Sequence, residues 1–217
     1  YLPNRFKRDR EVLESDASLD GVYGACAVHY ESDSGRKRFH DAGYAYQEFL
    51  SVTGAVTPEE VIEVLFHCHP KISGEFCTDC ITVRKALLAR TGVFDEYMPV
   101  LEDIHLWRRL AALGRLAAGE IVAPVARRGI HDANRMTNRA ENAKYSDYWW
   151  EDLKAWFRRT PAVLCRARRA FERAYCEYRV QNRPKWEKRQ AFLAYVLKHP
   201  ALVCQSYGFF DLNLFEA

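Results

Sequence analysis

Two adjacent carboxylates, Glu102 and Asp103, stand in the stretch FDEYMPVLEDIHLWRRL between an aromatic-rich loop and a run with helical spacing. Leu101, Ile104, Trp107 and Ala111 fall on one helical stripe, with Leu106, Leu110 and Leu113 beside them. Such a helix is anchored on its apolar side while its first turn stays free. Unpaired backbone N–H groups at that end favour an ionised acid. An ionised carboxylate on a rigid element next to a loop is what a general base needs. The plain alternative is structural: Asp is a favoured N-cap and acids are enriched in first turns. Taken alone, the pair reads that way first.

A second kind of chemistry is offered by HCHPKISGEFCTDC, where His67, Cys68, His69, Cys77 and Cys80 lie in one short span. Zinc takes four tetrahedral nitrogen or sulfur ligands, and C-x-x-C, the spacing of Cys77 and Cys80, is its usual clamp. Two features argue against it. Cys80 is read as opening the strand CITVRK, where alternation turns neighbouring side chains to opposite faces and separates the two sulfurs. His67 belongs to the end of the preceding helix. The expectation is buried thiols, with a structural metal as the alternative.

These residues need elements to hold them. YLPNRFKRDREVLES places Pro3 ahead of a helix-forming run with an apolar edge at Phe6, Val12 and Leu13. GVYGACAVHY suits a buried strand. TPEEVIEVLFH predicts a helix with Thr57 as cap, Pro58 in the first turn and Glu60 completing a capping box. The polar, aromatic stretch 33–56 between them reads as a linker. A strand is predicted at Ile81–Val83, a helix from Arg84 ending at Gly92, and a helix closed by Gly114. Strand segments are predicted around Leu116 and from Ile121 to Ala126. Strands alternating with helices argue for an α/β fold.

From Arg139 the texture becomes helical, in three patterns of which the second and third open at Pro161 and Pro184. The reading is therefore an α/β portion, 1–138, followed by a helical annex, 139–217. The 217 residues, 48% hydrophobic and 28% charged, can bury a sizeable core. The net charge of +3 is unevenly spread: 17 Lys+Arg face 20 Asp+Glu up to residue 138, and 15 face 9 beyond it. No apolar run reaches a membrane span. Seven cysteines without regular spacing argue for reduced thiols and a cytoplasmic setting.

The order TVRKALLARTGVFDEYMPVLEDIHLWRRLAALGRL, then VAPVARRGIHDANRMTN, resembles family 2 of the inverting glycosyltransferases. The shared pattern is a strand and Arg-containing helix start, a G-x-F-D-E turn, an E-D-x-x-L-W-x-R helix, a strand and an R-x-x-H-x-x-N loop. YLPNRFKRDREVLES also resembles the segment after the acidic metal-binding motif of such enzymes, so the likeness spans about the first 140 residues. It implies a partial GT-A, Rossmann-like sheet with flanking helices. It further implies transfer of a sugar from a nucleotide-sugar donor with inversion, as in polysaccharide biosynthesis. Asp103 would be the base and Glu102 would orient the acceptor or support its neighbour. His131 becomes a candidate metal ligand or phosphate contact, and Arg135 and Arg139 candidate phosphate clamps. A divalent metal, Mg or Mn, is the implied cofactor.

A full member of that family carries an upstream nucleotide-binding βαβ half ending in a D-x-D-type motif. Nothing here precedes Tyr1, so the expectation is an acceptor-side fragment inactive alone, with no donor-binding carboxylates assigned. The implied partners are a nucleotide sugar and a carbohydrate or lipid-linked acceptor. Trp149, Trp150, Trp156 and Phe157 beside Arg158 and Arg159 suggest peripheral contact of the annex with the inner face of a membrane. Glu172 and Glu177 interrupt the basic run and no reader motif is present, which argues against nucleic acid. The competing reading is a non-catalytic module, metal-stabilised or basic, for interaction.

Overall fold

The computed structural model describes residues 1–42, 49–50, 52, 54–134, 138–180, 186, 190, 193, 194 and 197, with the side chains of 49, 50 and 139 left aside. Chain contacts divide it into two units, Tyr1–Arg168 and Arg169–Ala217. The first is mixed α/β.

Its spine is one extended run broken in the middle. β1 (Gly21–Tyr23) and β2 (Ala25–Tyr30) are separated only by Gly24, whose N–H donates to the carbonyl of Cys80 at 2.7 Å. β1 lies between β4 (Ile81–Val83), antiparallel, and β5 (Leu116–Ala118), parallel. β2 likewise lies between β3 (Phe49–Leu50), antiparallel, and β6 (Pro124–Ile130), parallel. Two small mixed sheets result, each three strands wide. The run is buried along β1, where Val22 and Tyr23 are almost fully covered. Gly21 is required by close approach, since a Cβ there would stand 2.8 Å from the Thr82 carbonyl and 2.8 Å from Leu116.

Six helices of the described residues lie in the first unit, α1 (Lys7–Ser15), α2 (Asp33–Asp41), α3 (Val61–Leu65), α4 (Lys85–Thr91), α5 (Glu102–Leu113) and α6 (Arg139–Arg159), and α7 (Cys165–Val180) runs from its end into the second. β4, α4 and the left-handed Gly92 that ends it (φ 80°) fall where local sequence signals put them.

Other elements depart from the sequence reading. The stretch read as a linker contains α2, whose polar composition hides its helical character. Its real signal is Ser32, the N-cap, which accepts from the Gly35 N–H at 3.0 Å. At Thr57 only half the capping box forms: the Glu60 carboxylate accepts from the Thr57 N–H (3.0 Å) and hydroxyl (2.8 Å), and the regular helix starts later, at Val61. β6 begins at Pro124 and runs on to Ile130. Pro161 precedes α7 by a turn rather than opening it. Pro184 lies outside the described residues.

α1 carries charge inward. Arg5 and Asp9 are buried, 3% and 1% exposed, and paired with each other. Asp9 also accepts from the Thr82 hydroxyl on β4 at 2.6 Å. Together they pin α1 onto the sheet.

Candidate functional site

At the mouth of α5 the backbone is unusual. The N-cap is Leu101, in the left-handed region at φ 67° with no side-chain cap, a conformation that costs an L-residue roughly 1–2 kcal/mol. Neither acid is therefore the N-cap residue. Glu102 and Asp103 occupy its first turn and both are half-exposed. One Asp103 oxygen accepts from the Ile104 N–H at 2.7 Å, and the other from the Thr78 hydroxyl at 3.3 Å. The preceding loop exposes Val93, Phe94 and Tyr97, the last 82% open, and is pinned by buried Met98 and Val100. Asp95 in that loop accepts from the Tyr97 N–H (2.9 Å) and from the Tyr148 hydroxyl on α6 (3.0 Å).

Behind this mouth α5 is buried almost all round, from His105 to Ala112. Arg108 forms a two-pronged pair with Glu75, donates to the Leu65 carbonyl, and lies over the rings of Phe66 and Trp149 at 5.7 and 5.6 Å. Burial alone would raise the Glu75 carboxyl, but Arg108 and His67 more than offset it and hold it below its ordinary range. Arg109 donates to the carbonyls of Thr91 (2.9 Å) and Val93 (2.6 Å), tying the start of the aromatic loop to the helix. His105 is fully buried. Its Nε2 stands 3.3 Å from the Asp152 carboxylate without hydrogen-bond geometry. Burial, reinforced by Arg109, pushes that imidazole down to about 3, so it is neutral and no ion pair forms. From α6, Trp149, Leu153 and Phe157 are buried, and Trp150 stacks on Phe66. Arg158 and Arg159 remain exposed.

The cysteines are arranged otherwise than the strand reading expects. Cys80 does not open β4; it closes a 3-10 turn, Thr78–Cys80. That turn brings the Cys77 and Cys80 sulfurs together, and β2 adds a third, Cys26. All three are buried, 4%, 1% and 0% exposed, with their sulfurs within 4.8 Å of one another. Val125 and Ala126 complete the surrounding cluster. Hydrogen bonds from Cys26 and Cys80, aided by the Asp79 N–H and Arg128, push the Cys77 thiol down to about 3. Its neighbours move the opposite way, each raised by hydrogen bonds within the trio. The other members of the expected zinc set are engaged elsewhere. His67 faces Glu75 at 3.4 Å, Cys68 donates to the Phe66 carbonyl, and His69 Nδ1 accepts from the N–H groups of Ile72 and Lys71.

His131 lies on the exposed turn after β6, at the far end of that strand from Ala126, the partner of Cys26. Its Nδ1 accepts from the Ala133 N–H at 3.2 Å and its N–H donates to Asn134. It shares no hydrogen bond with Asp103. Arg135 lies outside the described residues; Arg139 starts α6, and its side chain is not described. Among the described residues, the convergent set of three or more side chains able to hold a metal is the cysteine trio. Buried thiols are soft donors and do not fit the oxygen-seeking Mg or Mn. No helix among the described residues is long and apolar enough to cross a membrane.

No family model, no curated protein and no solved structure matches the chain.

Proposed function

We propose that the chain is the acceptor-side portion of a family 2-like, GT-A-type glycosyltransferase that works with inversion, with Asp103 as its base. The observation that carries this reading is the state of Asp103: a half-buried carboxylate on a deeply anchored helix, with one oxygen on the first-turn Ile104 N–H and the other oriented by the Thr78 hydroxyl. Strain at Leu101, two residues before Asp103, fits a functional site, where such outliers concentrate.

In the proposed reaction the acceptor hydroxyl loses its proton to Asp103 as its oxygen attacks the anomeric carbon of the donor sugar. The bond to the nucleoside diphosphate breaks on the opposite face, giving inversion. Glu102 beside it orients the acceptor. The exposed rings of Phe94 and Tyr97 offer flat apolar faces to an acceptor sugar. His131, Arg135 and Arg139 are assigned to the departing phosphates by resemblance, and no step is routed through a metal. A lipid-linked acceptor would suit the basic end of α6, where Arg158 and Arg159 lie beside half-exposed Trp156.

The test is transfer by a polypeptide that joins this chain to the nucleotide-binding half the reading requires, from a panel of nucleotide sugars to carbohydrate acceptors, with the anomeric configuration of the product read by NMR. Inverted product is expected; retained configuration, or no transfer from any donor, contradicts the reading. The cysteine trio favours the second reading, a metal-stabilised interaction module, which predicts no turnover with any donor.

A further inference from the structure

We infer that Cys26, Cys77 and Cys80 together bind a single zinc ion that clips β2 to the 3-10 turn Thr78–Cys80. This inference stands apart from the transferase reading and needs no catalysis to be true.

Geometry supplies the first argument. Two thiolates on one zinc, each at about 2.3 Å, sit roughly 3.8 Å apart in a tetrahedral arrangement and about 4.0 Å apart in a trigonal one. The three sulfurs already lie within 4.8 Å of one another, so binding requires only a small contraction. Their convergence is built from separate parts of the chain. β2 supplies Cys26, and the 3-10 turn supplies Cys77 and Cys80 by folding the C-x-x-C span back on itself. The turn is held independently by the Gly24 N–H on the Cys80 carbonyl (2.7 Å) and by the buried Arg5 on the Asp79 carbonyl (2.8 Å). The trio is thus held in place before any ion arrives.

Donor chemistry selects the ion. Three thiolates in an apolar shell suit a soft cation. A dication leaves one residual negative charge where a monocation would leave two, and buried uncompensated charge is costly. Zinc is the ion favoured on both counts. Binding forms three Zn–S bonds from three thiolates, sending to solvent the proton of each sulfur that still carries one, with no change of oxidation state. Among the described residues no fourth side chain joins the set, so the fourth position falls to water or another small ligand.

The site has a structural consequence. Thr78, which donates to Asp103, is the residue immediately after Cys77. A bound ion would fix the turn from which that hydroxyl reaches the carboxylate.

The experiment uses the chain purified under reductant from zinc-supplemented cells and desalted. Elemental analysis should give about one zinc per chain. Titration of the metal-free, reduced chain with cobalt(II) should produce the near-ultraviolet charge-transfer band of thiolate ligation. Cys77→Ser should lose at least nine-tenths of the zinc, whereas Cys68→Ser should keep it. Should Cys77→Ser fail to fold, the cobalt spectrum of the unmutated chain decides alone. Reduced protein that takes up neither zinc nor cobalt, or zinc retained in full by a folded Cys77→Ser, overturns the inference.

Discussion

His105 shows how one side chain can carry a pH signature without touching any substrate. Both its ring nitrogens are buried and neither is hydrogen-bonded. In the folded chain it stays neutral down to about pH 3, while the unfolded chain takes up the proton near 6.5. Between those values the unfolded state binds more protons. The stability associated with a neutral His105 is therefore complete above pH 6.5 and is lost as pH falls towards 3. His105→Leu removes this contribution and, because no hydrogen bond is lost, leaves stability at pH 7.5 unchanged or raised. Chemical denaturation at a series of pH values should give a shallower acid slope for the variant. An unchanged slope would show that His105 is charged or solvated in the folded protein. Asp103 is a different kind of residue: half-buried, and held by the Ile104 N–H on one oxygen and the Thr78 hydroxyl on the other.

At the scale of elements, α5 is held by charge as much as by apolar packing. Arg108 binds Glu75 in a two-pronged pair and also caps the end of α3 through the Leu65 carbonyl. Removing one partner strands the other, which for a fully buried pair costs roughly 3–5 kcal/mol. Glu75 is 30% exposed, so screening reduces this, and Arg108→Met is expected to cost about 2–3 kcal/mol. The double variant Arg108→Met with Glu75→Leu should recover at least half of that. Denaturant midpoints of the unmutated chain, both single variants and the double variant test it, and strict additivity of the two single changes would contradict a coupled pair. The helix's apolar stripe was legible in sequence because a 3.6-residue period is local. The inward role of Arg108 and Arg109 was not, since their acceptors are carbonyls and a carboxylate 16 to 43 residues away.

Across the whole molecule the same division holds. β4, α4 with its terminal Gly92, the span of α5 and the start of α6 were readable, because each rests on signals within a few residues: β-branched runs, a left-handed glycine, periodicity, and Asn138 as an N-cap. α2 was not, because nearly every residue in it is polar. The C-x-x-C pair was visible and its third member was not. Cys26 reaches it only because the chain breaks at Gly24 and β1 pairs with β4 in one particular register. The objection that strand alternation would part Cys77 from Cys80 failed for a local reason: residues 78–80 are a 3-10 turn. That turn also connects two sites that look separate in sequence, since it carries both the thiols and Thr78. The Asp103–Thr78 contact depends on tertiary structure in the same way and could not have been read from either segment alone.

The most direct test of the account is Asp103→Asn in this chain joined to a nucleotide-binding half, with turnover and thermal stability measured side by side. The amide oxygen can still accept from the Ile104 N–H, and the amide NH2 can donate to the Thr78 hydroxyl oxygen in place of the present bond, so the melting temperature should fall only slightly. Sugar transfer should fall by roughly 10²- to 10⁴-fold. A variant that transfers sugar at the unmutated rate would contradict the assignment of Asp103 as the base.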